Sequence, residues 1–251
     1  MPPLTDGWAF FLDVDGTLLD LVERPDAVRA DAHLLCLVDA LSGVAGGAVA
    51  LITGRSLEDV DRLFAPMRFP VAAQHGAERR SAAGSVHRHD APVEKLGQAA
   101  VELARLSTAH EGLVVEYKGI TLALHYRAAP SLGDLAFQAM RSICSQLDNE
   151  FVLQPGKFLV EIRPSGKDKG EAIAEFMYEE PFLGRLPVFV GDDMTDEQGF
   201  RAVNRAGGHS VKVGPGATEA RWRLPDALSV RQWLDDYVKA VTAHRVLSGD
   251  R

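Results

Sequence analysis

Phe10-Phe11-Leu12-Asp13-Val14-Asp15-Gly16-Thr17 decides the fold. An apolar run ends in two carboxylates two residues apart, followed by a glycine and a hydroxyl. Trp8 to Leu12 shows no polar alternation, so it reads as a strand covered on both faces, as in the middle of a parallel sheet. Asp13 and Asp15 then emerge at the strand's carboxyl end, where open α/β sheets place their ligands. Side chains at i and i+2 of an extended chain point the same way, so both acids address one point. Carboxylates this close repel each other unless a cation lies between them. Hard oxygen ligands of this kind suit Mg²⁺. The plainer reading is a turn carrying two solvated acids, and so short a motif does not separate the two.

Outward from this strand, Leu34, Leu35, Leu37, Val38 and Leu41 make a helix face behind a cap at Asp31, ended by the glycines from Gly43 to Gly47. Ala48 to Ile52 is a second buried strand, and it stops at Thr53-Gly54-Arg55. Ser56 with Asp59 opens a helix through Leu63 and Phe64. Val71 to Ala73 is a short third strand leading into Gln74-His75-Gly76-Ala77-Glu78. Such βαβ alternation predicts a Rossmann-like parallel sheet with helices on both faces.

From about Pro92 the pattern changes. A helix marked by Val93, Leu96, Ala100 and Leu103 precedes a hairpin, Leu113 to Lys118 and Ile120 to Arg127, turning at Gly119. A second helix (Leu132, Leu135, Ala139, Met140, Ile143, Leu147) precedes a second hairpin around Pro155-Gly156. Helix, hairpin, helix, hairpin predicts an α+β unit inserted at 92–165, dividing a core made of 1–91 and 166–251. Parity gives its sheet one apolar face, with Leu122, Leu124, Val160 and Ile162. The other face carries Glu116, Lys118, His125, Arg127, Lys157, Glu161 and Arg163. This face is either an ordinary solvated surface or a surface for sugar hydroxyls and phosphate.

The chain then returns to its first style. Ser165-Gly166-Lys167-Asp168-Lys169-Gly170 opens a helix, and Pro187 to Val190 is a buried strand ending in Gly191-Asp192-Asp193-Met194-Thr195-Asp196-Glu197. In a parallel sheet the ends at Asp13/Asp15, Thr53, Lys169 and Asp192/Asp193/Asp196 share one edge. Carboxylates, a hydroxyl and a lysine together suit phosphoryl transfer, which needs charge neutralisation and an in-line nucleophile. Asp192, at the strand end, is the better-placed third metal ligand. Asp196 also suits the first turn of a helix in its own right.

The bulk properties bound these readings. The 251 residues are 46% hydrophobic and 25% charged, enough for a sizeable core. A net charge of −8 and a pI near 5.5 argue against nucleic acid as a partner, yet they allow an anionic substrate in a locally cationic pocket. Cys36 and Cys144, both within apolar helical patterns, are expected to be buried free thiols. No apolar run approaches a membrane span, and the reading is of a cytoplasmic protein that makes no membrane contact. A monomer is compatible with the sequence, which leaves the oligomeric state open.

Four ordered motifs, Asp13-Val14-Asp15-Gly16-Thr17, Thr53-Gly54-Arg55, Lys169-Gly170 and Gly191-Asp192-Asp193, resemble those of the haloacid dehalogenase superfamily of phosphatases. Several further segments are similar to signatures of its trehalose-6-phosphate phosphatase family: His75-Gly76-Ala77-Glu78, Glu116 with Lys118, His125-Tyr126-Arg127, Gly156-Lys157, Glu161-Ile162-Arg163-Pro164, and the run Asp192 to Glu197. The resemblance implies Asp13 as nucleophile and Asp15 as general acid and base. It also implies Thr53 and Lys169 as holders of the phosphoryl oxygens. Mg²⁺ is implied on Asp13, on the main-chain carbonyl of Asp15 and on Asp192, with Asp193 and Asp196 supporting. A phosphorylated disaccharide is the implied substrate. Gly54, Arg55, His75 and Glu78 in the core, with Glu116, Lys118, His125, Arg127, Lys157, Glu161 and Arg163 in the inserted unit, are the implied substrate-binding residues, and that unit is implied to open and close near Pro92 and Ser165.

Other functions compete. Phosphatases of sucrose or mannosyl-glycerate phosphate, and phosphomannomutases, share the core chemistry. A phospho-receiver shares the sheet, acids, threonine and lysine but is about half as long and has no insertion. A silent regulatory descendant is expected to have lost an acid or the lysine, and this chain retains both.

Overall fold

Every residue of β1 (Trp8–Leu12) is buried, as expected of a central strand whose side chains pack on both faces. In the computed structural model, which describes residues 1–20, 29–90, 92–147, 149–156 and 158–248, the elements follow the alternation read above. α1 (Ala32–Val44) is capped by Asp31, whose carboxylate accepts from Leu34 N. β2 (Val49–Ile52) leads to α2 (Leu57–Leu63), where Ser56 Oγ accepts from Asp59 N. β3 (Val71–Ala73) is followed by β4 (Glu78–Arg80) and β5 (Val86–Arg88).

The inserted elements are α3 (Val93–Ala109), β6 (Val114–Tyr117), β7 (Leu122–His125), α4 (Gly133–Gln146), β8 (Phe151–Gly156) and β9 (Leu159–Pro164). The chain resumes with α5 (Lys169–Phe176), β10 (Leu186–Gly191), α6 (Glu197–Arg205), β11 (His209–Val213), β12 (Trp222–Leu224) and α7 (Ala227–Ser248). None of the described helices is long and apolar enough to cross a membrane.

The chain divides into two units, Met1–His87 with Asp168–Arg251, and Arg88–Lys167. The first contains a sheet in the order β12-β11-β10-β1-β2-β3-β4-β5. Its strands from β12 to β3 run parallel, and β4 returns antiparallel to β3. The strand order reverses direction at β1, between β10 and β2. That is the switch point at which an open α/β sheet leaves a crevice beyond its carboxyl ends. One hydrophobic cluster, including Phe10, Phe11, Val49, Leu51, Phe176, Val188, Phe189 and Leu234, fills both faces.

The inserted unit has its own core, built on Leu96, Leu103, Leu122, Leu124, Met140, Val160 and Ile162. Its antiparallel sheet runs β6-β7-β9-β8.

The strands and the cysteines differ from the sequence reading. Glu78–Arg80 and Val86–Arg88 extend the core sheet where no element was expected, and so does Trp222–Leu224. Cys36 is exposed and Cys144 half-buried, rather than buried. Position 36 falls off the stripe Leu34, Leu37, Val38 and Leu41 that α1 buries.

Candidate active site

β1 and β10 are paired in register from Trp8 opposite Leu186 to Leu12 opposite Val190. Asp13 and Asp192, one residue beyond Leu12 and Gly191, therefore leave neighbouring strands at the same edge. Asp13 N still donates to Val190 O at 3.0 Å, which fixes the direction of the Asp13 side chain. Gly16 adopts a φ of +82°, and a Cβ there would lie 2.1 Å from Asp192 Oδ2, so only glycine lets the turn close over that carboxylate.

Lys169, the first residue of α5, reaches this edge. It is 3% exposed, and its Nζ donates to Asp13 Oδ1 at 2.8 Å and to Asp196 Oδ1 at 2.6 Å. Asp196 Oδ2 accepts from the main-chain N–H of Asp192 at 2.8 Å and of Asp193 at 2.9 Å. Both oxygens of Asp196 are thus committed to bracing the loop and the lysine. Asp193 Oδ1 accepts from Thr195 N at 2.7 Å and from Thr195 Oγ1 at 2.6 Å, closing a capping box over the turn. Asp13 Oδ2 receives no hydrogen bond from the described residues, so this oxygen remains available.

The charge balance follows from this geometry. Burial pushes the Asp13 carboxyl well above the ordinary range; Lys169 opposes this, while Asp196 and Asp192 add to it. Asp192 is pushed up to about 7, first by burial and then by Asp196 and Asp193. Asp196 is raised by burial against the pull of Lys169. Burial also opposes the charge on Asp193, but Lys169 and the Thr195 hydroxyl outweigh it and hold that carboxyl low. Lys169 itself stays an ammonium, because Asp13 and Asp196 overcome its burial.

One oxygen each from Asp13, Asp192 and Asp196 lies within 4.8 Å of the others. Once ionised, these three carboxylates outnumber the single ammonium that bridges Asp13 and Asp196, an excess that a divalent cation would offset. The group could hold such a metal ion.

The second strand end is built differently. Thr53, following β2, is buried, and its Oγ1 accepts from Arg55 N at 3.1 Å. Arg55 Nε donates to Asp15 Oδ2 at 2.7 Å, and Nη2 donates to Asp15 Oδ1 at 2.6 Å. Gln74 and His75 both adopt positive φ, +48° and +58°. This costs energy for residues with a Cβ. The kink sets Gln74 N on Arg55 O and His75 N on Thr53 O, each at 2.9 Å. The His75 ring comes so close to Gly54 that a Cβ there would lie 2.7 Å from Nε2. Glu78 is buried and accepts from Leu57 N at 3.4 Å, at the start of α2.

In the inserted unit, His125 Nε2 lies 2.9 Å from Glu116 Oε2. Lys118 Nζ lies 3.6 Å from Glu116 and 3.7 Å from Glu161. Glu116, His125 and Glu161 come from three adjacent strands, Lys118 directly follows β6, and Glu116 and Glu161 are both opposite Ala123. Glu161 is 3% exposed. Burial works against ionisation of Glu116, but His125 and Lys118 prevail and hold its carboxyl low. Arg127 falls in the turn beyond β7, its guanidinium 5.9 Å from the Phe158 ring centre. Arg163 donates to the carbonyls of Pro164 and Lys167 and to Gln154 Oε1, within its own unit. Lys157 lies outside the described residues.

A buried cation beside Asp192 was not singled out from the sequence. Lys212 on β11 is 5% exposed and donates to the carbonyl of Asp192. A lone lysine in the apolar run Ser210-Val211-Lys212-Val213 is the signal that could have found it.

Comparison with known proteins agrees with this architecture. The chain is 44% identical over 244 residues to the trehalose-6-phosphate phosphatase of Escherichia coli K12, covering 97% of this chain and 91% of that one. It is 45% identical over 230 residues to a probable trehalose-phosphate phosphatase of Sinorhizobium fredii, covering 90% and 86%. Among solved structures, a trehalose-6-phosphate phosphatase related protein superposes with a TM-score of 0.76 at 26% identity, over 94% of this chain and 99% of that one. The family profile described as trehalose-phosphatase matches residues 11–227, from the strand that carries Asp13 into the start of the last helix. With the acidic edge, the buried lysine and the inserted unit all inside that span, the chain belongs to the trehalose-phosphatase family.

Proposed function

We propose that this chain hydrolyses trehalose 6-phosphate to trehalose and inorganic phosphate through an aspartyl phosphate on Asp13. The observation that carries the reading is the bridge from Lys169 to Asp13 and Asp196, with Asp192 alongside. An ammonium and three acids from distant segments meet at the crevice end of the sheet. The names of the similar phosphatases support the substrate.

Asp13 Oδ2 attacks phosphorus, and the bond to the sugar oxygen breaks. Asp15 gives a proton to that leaving oxygen. Water then attacks phosphorus, Asp15 takes its proton, and cleavage of the acyl phosphate releases phosphate and restores Asp13. Lys169 and the Thr53 loop hold the phosphoryl oxygens, and Lys169 keeps Asp13 aimed. Asp13, Asp192 and the main-chain carbonyl of Asp15 would hold Mg²⁺, with Asp196 bracing the loop. A bound Mg²⁺ supplies positive charge that neutralises the phosphoryl oxygens. On the inserted unit Glu116, Lys118, His125 and Glu161 would serve the sugar hydroxyls. Such a buried polar set rejects analogues lacking those hydroxyls.

Phosphate release with Mg²⁺ from trehalose, sucrose, mannose and glucose phosphates tests this. The trehalose ester is expected to have the highest kcat/KM. A preference for another ester would reassign the substrate, and no release from any would remove the phosphatase reading.

A further inference from the structure

We propose that Lys212 is a positioning residue for the metal site, fixing the main chain of Asp192 so that its carboxylate faces the acidic group. Lys212 lies on β11 directly beside Gly191 of β10 in the parallel register, so its side chain is anchored one residue from the loop it touches. Its Nζ donates to the carbonyl of Asp192 and, at 3.1 Å, to that of Val213. A hydrogen bond at the Asp192 carbonyl restricts rotation of the Asp192–Asp193 peptide. The Asp192 and Asp193 N–H groups are tied to Asp196 Oδ2, so the ligand-bearing turn is held from two sides.

Lys212 has no carboxylate within ion-pair distance among the described residues, and its partners are two carbonyls. A buried ammonium with only carbonyl partners carries a desolvation penalty, and a methionine of similar length would fill the space without one. A purely structural lysine here would be a poor choice. The field of the adjoining carboxylates offsets part of the penalty, since Lys212 and Asp192 attract each other. Residues that orient a ligand typically change metal affinity by about 10- to 100-fold when removed.

Positioning and bare electrostatics predict opposite signs. Removing a positive charge beside a cation site tightens cation binding by Coulomb's law. Releasing the Asp192 peptide weakens it. The inference rests on the metal reading above, so wild-type protein is the control. Calorimetric titration of the metal-free full chain with Mg²⁺ should show one site; absence of binding there would overturn the metal reading itself. Lys212→Met is expected to raise the Mg²⁺ Kd by about tenfold or more. Its melting temperature in chelator is measured alongside, so that the change in affinity is read on folded protein. The titration is run at about pH 8.5, above the Asp192 range, so that the carboxylate is ionised in both proteins. Lys212→Arg should recover part of the affinity, because a guanidinium can still donate to the Asp192 carbonyl. An unchanged or lower Kd in folded Lys212→Met would overturn the proposal. If that variant does not fold, Lys212→Gln decides by the same criterion.

Discussion

The guanidinium of Arg55 takes both oxygens of Asp15, at 2.7 Å from Nε and 2.6 Å from Nη2, in a planar fork. A two-pronged grip fixes the orientation of the carboxyl group as well as its position. In the proposed mechanism Asp15 must leave this fork, where both of its oxygens accept, before it can carry a proton to a leaving oxygen. Asp15→Asn keeps the shape and removes the transferable proton. Its kcat on the sugar phosphate should fall by about 10² to 10⁴. The initial burst with p-nitrophenyl phosphate, whose leaving group needs no proton, should fall far less. Equal losses on both substrates would take the general-acid role away from Asp15.

Lys169 is the sole cation hydrogen-bonded to Asp13 and Asp196 among the described residues. Lys169→Met should therefore leave buried acids uncompensated, and breaking such a buried pair costs about 3–5 kcal/mol. Urea unfolding at neutral pH should show this loss together with loss of turnover. A variant as stable as wild type would mean that the acids were not held apart by this ammonium.

The metal-free protein should lose stability as pH rises. Asp13, Asp192 and Asp196 all have folded-state values above their ordinary 3.8, with Asp192 at about 7. The folded chain therefore keeps protons that the unfolded chain has released. Stability is highest at the acidic end of that window and falls as pH climbs through about 4 to about 7. Asp193 acts in the opposite sense, but below 3.8, where its lowered carboxyl begins to protonate. Calorimetry in chelator should show the melting temperature dropping by about 3 °C or more between about pH 5 and about pH 8. Saturating Mg²⁺ should abolish the drop. A flat or rising profile without metal would contradict the crowding of these acids.

The polar face of the inserted unit should govern the sugar and leave the phosphoryl chemistry alone. Glu161 is buried beside Lys118, so Glu161→Gln should raise KM for the disaccharide phosphate by about 10- to 100-fold, the scale of a hydrogen bond to a charged group. Turnover of p-nitrophenyl phosphate should stay within about twofold. Equal loss on both substrates would place Glu161 in the architecture of the unit rather than in recognition.

The alternation of buried strands with capped helices was legible because each signal is local. Asp31 caps α1 and Ser56 caps α2 within three residues of the groups they bind. The convergence of Asp13, Lys169 and Asp192 was equally legible, since parallel register carries strand ends to one edge. What escaped depends on distant partners. Glu78-Arg79-Arg80 looks like a surface run, yet Arg80 is buried on Phe69 O and Asp61, and Arg79 lies 4.3 Å from the Phe176 ring centre. Charged side chains enter a sheet only when such partners exist, and no spacing in the sequence announces them. Arg55 and Arg163 show the same limit: their chemistry was visible, but Asp15 and the carbonyls of Pro164 and Lys167 as their partners were not.

The central claim is that Asp13 becomes phosphorylated. Acid quenching during turnover of phosphate-labelled trehalose 6-phosphate with Mg²⁺, followed by peptide mapping, tests it most directly. Label is expected on the peptide containing Asp13 in the wild-type chain and none in Asp13→Asn, which should also be inactive. Phosphate release by Asp13→Asn at the wild-type rate, or label on a different residue, would contradict it.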